Sequence, residues 1–148
     1  VNGKPCGLGC RDTLRFEATY MLYGNDIDEN TNPLEAGLKW AVDLQKDFIG
    51  KDAILKSKEE GLKRGLRALE IKEKKPVRKG YKIYKNEQEV GFVTSAAKSP
   101  TTGKNLALGY INKPYTKSKT ELTIDAKGKK LDAVVVKKPF YKGSVKNS

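Results

Sequence analysis

Arg11 and Arg15 stand four residues apart, so on a helix they share one face and turn two planar guanidinium forks the same way. A guanidinium grips a carboxylate through two parallel hydrogen bonds or lies flat on a ring, which suits an anionic or planar ligand. Arg11 is the first binding candidate and Arg15 reads as structural. The opposing reading of Arg11 is an ion pair with Asp12 or Glu17. Tyr20 and Trp40 are flat side chains with polar tips, suited either to a pocket wall or to a core. Other groupings fail on spacing. Asp26, Asp28 and Glu29 lack the sixth-position glycine and twelfth-position glutamate of a calcium loop, and read as solvated turn carboxylates. Cys6 and Cys10 form a C-x3-C pair that cannot complete a zinc site and reads as small buried thiols. Lys104 follows Gly103, but Ser99-Pro100-Thr101-Thr102 lacks the first glycine of a phosphate loop. No metal site is expected.

The chain contains no histidine. That removes Ser-His-Asp and Cys-His nucleophilic arrangements and most catalytic zinc sites, and leaves proton chemistry to carboxylates, lysine, tyrosine or the substrate. Charge is divided unevenly: residues 1–60 carry 8 Lys and Arg against 11 Asp and Glu, residues 61–148 carry 22 against 7. A basic half of this size attracts polyanions, whether nucleic acid, an acidic protein or an anionic cofactor, or is simply a lysine-rich solubilising surface. There is no run of 18 apolar residues and no cleavable signal pattern, and two cysteines make no disulfide framework. A soluble, reducing compartment is the expectation.

These side chains need elements to hold them. Residues 11–19 read as a short helix, broken by Gly24-Asn25-Asp26. Asn32-Pro33-Leu34-Glu35 places a capping side chain, a first-turn proline and an early glutamate in helix-start order. Trp40 to Leu44 alternates like a strand, and Asp52 to Lys58 reads as a further helix stopped by Gly61. Beyond residue 62 the rhythm shortens. Residues 66–71, 81–84, 90–94, 106–111, 122–124 and 131–136 form six strand-like runs, the last two joined by a Lys127-Gly128-Lys129 turn. Six short strands argue for a small antiparallel barrel or sandwich able to fold alone, with a boundary near Gly61.

The stretch from Arg11-Asp12-Thr13-Leu14-Arg15 through Tyr23-Gly24-Asn25-Asp26 to Trp40 and Asp47-Phe48-Ile49-Gly50-Lys51 resembles a signature of the glycine-cleavage T-protein family, the folate-dependent aminomethyltransferases. The resemblance continues through Val93-Thr94-Ser95, Ser99-Pro100-Thr101, Gly103-Lys104-Asn105 and Lys137-Lys138-Pro139-Phe140-Tyr141. Complete members are more than twice as long, so these residues match the C-terminal portion. The resemblance implies an α+β, mainly β fold: residues 1–60 as the end of a folate-binding domain and residues 61–148 as a six-stranded antiparallel β-barrel. It implies transfer of a one-carbon unit from the aminomethyl-lipoyl arm of H-protein to tetrahydrofolate, with release of ammonia. Arg11 takes the place of the arginine that contacts folate. Tyr20 and Trp40 become candidates to stack on the pteridine, and Lys146 a candidate partner for the glutamyl tail. The family's catalytic aspartate lies upstream, so no catalytic residue is expected here and these residues alone should be inactive. After Val93-Thr94-Ser95, relatives usually carry Gly and an aromatic where Ala96, Ala97 and Lys98 stand, which puts the shape of that loop in question.

The implied partners are folate, lipoylated H-protein and the N-terminal part of the same polypeptide, without nucleic acid or membrane. The implied location is cytoplasmic, or the mitochondrial matrix in a eukaryote. Two alternatives stay open: the folate-binding portion of a sarcosine- or dimethylglycine-oxidising enzyme, and a basic barrel that binds single-stranded nucleic acid through Tyr81, Tyr84, Phe92 and Tyr110.

Overall fold

A computed structural model describes residues 2–143, and the change of rhythm near residue 61 is the change from helix to strand. Helices α1 (Gly7–Glu17), α2 (Pro33–Ala36) and α3 (Lys51–Glu59) come first, and strands β1 (Arg64–Ile71), β2 (Lys82–Lys85), β3 (Gln88–Lys98), β4 (Asn105–Asn112), β5 (Glu121–Ala126) and β6 (Lys129–Val136) follow. The α2 start is built as its residue order implies. Asn32 accepts the Leu34 N–H at 2.8 Å, Pro33 occupies the first turn, and Gly37 at φ 83° ends the helix in a conformation that costs glycine little.

Trp40 to Leu44 is not a strand. Lys39–Ala41 form a single 3-10 turn, with Ala41 N–H donating to Leu38 at 2.9 Å. The Asp43 carboxylate then takes the Gln45 N–H at 3.0 Å, a local bond that offers the backbone a turn in place of a ladder. Alternating apolar residues form a strand only where a neighbour supplies the other half of the hydrogen bonds.

All six strands pair antiparallel in the order β1-β4-β3-β2-β5-β6, and β6 returns to β1 to close a barrel. The two-residue hairpin between β5 and β6 has Lys127 at φ 58° and Gly128 at φ 84°, the left-handed pair that matches strand twist. Ala96, Ala97 and Lys98, expected in a loop, lie instead in β3. They face Ala107, Leu106 and Asn105 of β4, beyond a register shift between Val93 and Ser95. The β3–β4 connection begins only at Ser99.

The barrel interior is filled by Leu69, Ile71, Ile83, Val90, Val93, Ile111, Ile124, Leu131 and Val135, all buried. A second apolar cluster packs Leu66, Ala68, Leu106, Leu108 and Tyr110 against Phe16 of α1. Strands β1 and β4 are therefore covered on both faces; β4 reads as an unbroken apolar run over residues 106–111, whereas β1 keeps Arg64, Arg67 and Glu70 among its buried residues. On α1 only Phe16 and Glu17 are buried; Cys6 and Cys10, expected as buried thiols, are both exposed because that end of the helix points away from the barrel.

Gly91 lies where β3 and β4 press closest: a Cβ there would collide with the carbonyl oxygen of Tyr110. We expect Gly91→Ala to destabilise the fold by about 1–3 kcal/mol, read by denaturant unfolding. An unchanged midpoint would mean that the strands do not approach this closely.

Candidate functional site

The C-terminal half of α1 is fastened to the barrel by two carboxylates. The Asp26 side chain is fully buried and accepts Arg15 Nη1 at 2.7 Å and the Leu22 N–H at 3.0 Å through Oδ2, and Thr94 Oγ1 at 2.6 Å through Oδ1. Tyr110 Oη donates to the Asp26 carbonyl at 2.9 Å. Burial pushes the Tyr110 phenol up to about 12, with Arg64 opposing, so it stays a neutral donor. Asp26 is thus no solvated turn carboxylate; nothing in its spacing from Asp28 and Glu29 distinguishes it, since its partners come from β3, β4 and α1. Asp28 keeps the turn role, accepting Thr31 Oγ1 at 2.7 Å.

Glu17 makes the second attachment. Its carboxylate accepts Ser99 Oγ, the Thr101 N–H at 3.0 Å and Thr101 Oγ1 at 2.8 Å, so the β3–β4 connection folds around the end of α1. Burial is the largest single influence on Glu17 and raises its pKa, but the bonds from Ser99 and Thr101 together outweigh it and hold the carboxyl below its ordinary 4.5. The chain's last described segment crosses the same place. Tyr141 N–H donates to the Glu17 carbonyl at 3.1 Å, and the Phe16 and Phe140 ring centroids are 5.2 Å apart. Lys104, after the loop, pairs with Glu70 at 2.9 Å.

These attachments decide what Arg11 has left. Asp12 is taken by Arg15, at 2.6 Å, and Glu17 by Ser99 and Thr101, so neither carboxylate forms an ion pair with Arg11. Arg11 stands exposed on α1, one turn before the anchored arginine. Tyr20 and Trp40, 58% and 85% exposed, are both outside any core and border one cleft of about 390 Å³ together with Met21, Ile27, Leu38 and Lys138. Arg11 is not among its lining residues. Lys146 lies outside the described residues. Lys138 was not singled out from the sequence beyond its place in the Lys137-to-Tyr141 motif. Of the four aromatics suggested for a platform on the barrel, Tyr110 cannot take part: it is 3% exposed and packs against Phe92, centroids 5.8 Å apart.

A family model described as the glycine cleavage T-protein C-terminal barrel domain matches residues 64–142, and one described as the GCVT N-terminal domain matches residues 1–46. The chain belongs to the glycine cleavage T-protein family. The aminomethyltransferase of Thermotoga maritima is 51% identical over 146 residues, which are 99% of this chain and 40% of that protein. That of Thermotoga petrophila is 53% identical over 147 residues, again 99% and 40%. The crystal structure of glycine cleavage system aminomethyltransferase T from Bartonella henselae superimposes with a TM-score of 0.86 at 35% identity, covering 91% of this chain and 39% of that one. This T-protein family chain therefore spans about two fifths of the relatives it matches.

The Glu17 attachment has a pH signature. With its folded pKa below the unfolded value, its contribution is complete above about pH 4.5 and disappears as pH falls through the folded pKa. Glu17→Gln should cost about 1.5–3 kcal/mol at pH 7 in denaturant titration, with the gap to wild type closing in acid. A gap that stays constant down to pH 3 would show that the charge of Glu17 is not what holds the loop.

Proposed function

We propose that this chain is the C-terminal part of an aminomethyltransferase of the glycine cleavage system, which transfers a one-carbon unit from aminomethyl-lipoyl H-protein to tetrahydrofolate and releases ammonia. The observation that carries this reading is the division of labour within Arg11-Asp12-Thr13-Leu14-Arg15: Arg15 and Asp12 are consumed in anchoring α1, and Arg11 is left exposed without either nearby carboxylate. An arginine on a fixed helix is a rigid fork for a planar or carboxylate-bearing cofactor. Tyr20, in the turn after α1, and Trp40, in the 3-10 turn Lys39–Ala41, border one cleft and supply flat apolar walls there. Tetrahydrofolate, when bound, supplies the nucleophilic nitrogen. The chain's own residues hold and orient it and keep water from one side of the reacting carbon.

The remainder of the polypeptide would supply the catalytic aspartate and complete the pocket. The exposure of large apolar side chains on residues 1–60 supports this: Leu8, Leu14, Trp40 and Ile49 are 81%, 64%, 85% and 104% exposed. The basic residues of 61–148 would steer an acidic H-protein. No helix among the described residues is long and apolar enough to cross a membrane.

In the complete polypeptide, Arg11→Ala should weaken tetrahydrofolate binding by about 1.5–3 kcal/mol in titration calorimetry, with the unfolding midpoint nearly unchanged. Wild-type affinity in the variant would make Arg11 a surface residue and remove the main support for the proposal.

A further inference from the structure

The connection from β4 to β5, residues 113–120, carries Lys113, Lys117 and Lys119 and no Asp or Glu. It is a built loop. A 3-10 turn, Lys113–Tyr115, opens it, and Thr116 donates twice to the Lys113 carbonyl, from its N–H at 3.3 Å and from Oγ1 at 2.9 Å. Thr120 N–H closes a second turn on the Lys117 carbonyl at 3.2 Å. Three outside attachments hold these turns. Arg67 Nε donates to the Thr116 carbonyl at 3.0 Å, Lys113 N–H to the Lys63 carbonyl at 2.9 Å, and Lys119 N–H to the Val135 carbonyl at 2.8 Å. The second of them brings a fourth lysine, Lys63, to the same end of the barrel. Lys119 stands at φ 71°, where glycine would be less strained, so the loop keeps an amine where its backbone does not favour one.

These four exposed lysines differ from others on the barrel. Lys72, Lys82 and Lys104 are held by Glu121, Glu89 and Glu70. Lys63, Lys113, Lys117 and Lys119 take part in none of the ion pairs among the described residues, and neither does Arg67. The carboxylates bordering the patch are committed, Glu35 to Arg64 at 3.0 Å and Glu121 to Lys72 at 3.5 Å.

We propose that the β4–β5 connection, together with Lys63, is a binding surface for the phosphate backbone of a nucleic-acid duplex. This adds a partner that the family resemblance does not imply, and it is independent of the folate reading above. Amines fixed on a built loop without internal counter-ions gain most from a dense row of anions, whose own counterions they release. The loop offers a protein partner no large apolar anchor: its one aromatic, Tyr115, packs on the barrel core and holds Gln88 through Oη at 3.4 Å. With that ring turned inward there is no platform for base stacking either. A duplex, with its higher charge density, should therefore bind at least as tightly as a single strand.

The test follows fluorescence anisotropy of a labelled DNA duplex of about 20 base pairs, its single strand, and labelled lipoylated H-protein. Each is titrated with the complete polypeptide between about 0.05 and 0.2 M salt. One variant combines Lys113→Gln, Lys117→Gln and Lys119→Gln. The other combines Lys72→Gln, Lys82→Gln and Lys104→Gln, which removes the same formal charge from paired positions. All six side chains are exposed, so both variants should fold. The loop variant should weaken duplex binding about tenfold at the lowest salt and reduce the slope of log affinity against log salt by about 2–3. The paired-lysine variant should stay within about threefold of wild type. Equal weakening by the two variants would mean that only diffuse charge is at work, and would overturn the proposal. So would a wild type that does not bind the duplex, or a single strand bound more tightly than the duplex. A loop variant that loses H-protein affinity and keeps duplex affinity would assign the patch to an acidic protein instead.

Discussion

The buried pairing of Asp26 with Arg15 is the contact on which the arrangement of this molecule depends. A carboxylate with no solvent exposure cannot remain ionised without a partner, and its two oxygens here are met by Arg15, Thr94 and the Leu22 N–H. Those donors come from three places: α1, the turn after it, and β3. Losing one partner of such a buried pair costs about 3–5 kcal/mol, because the remaining charge is stranded. The exposed pairs, such as Lys56 with Glu60 at 3.9 Å, contribute at most about 1 kcal/mol each. The buried pair thus fixes where the helical stretch lies on the barrel, and Phe16 seals the apolar patch beneath it.

The proposed function rests on what that docking leaves uncommitted. Arg15 and Asp12 are spent on each other and on Asp26, and Glu17 on the Ser99–Thr101 loop. Arg11, one turn earlier, keeps its guanidinium free of those carboxylates. At the other end of the helix, the chain after β6 crosses back over Glu17 and sets Lys138 beside Tyr20. Of these two cationic side chains, Arg11 stands midway along α1 and Lys138 borders the turn that follows it. Each lies in a different neighbourhood, and only Lys138 shares a cleft with the aromatics.

The barrel was legible because its signals are local: period-two alternation, turn residues at positive φ, and a helix start spelled out by Asn32-Pro33. The doubly covered β4 was legible too, since burial on both faces erases alternation but leaves a continuous apolar run over residues 106–111. What failed depended on distant partners. Trp40 to Leu44 carried a strand's pattern with no neighbouring strand to pair with, so it turned instead. Ala96 to Lys98 looked like a loop from its departure from the family pattern, yet pairing to β4 holds it in the sheet. Asp26 has the same composition and spacing as its solvated neighbours and differs only in what folds over it. The cysteines were judged by type, whereas the half of α1 that carries them points outward. Lys138 had no signal of its own, because its pKa is lowered first by the protein that crowds it and then by Arg67, 71 positions earlier in the chain.

The central claim is that a buried, coupled pair between Arg15 and Asp26 docks the helices on the barrel. A double-mutant cycle on Arg15→Met and Asp26→Asn, read by denaturant unfolding at pH 7, tests it most directly. The account predicts that each single change costs about 3–5 kcal/mol and that the two together cost less than their sum by about 1.5–3 kcal/mol. Effects that add to within about 0.5 kcal/mol would mean that the two residues act independently, and the anchor would have to be sought elsewhere.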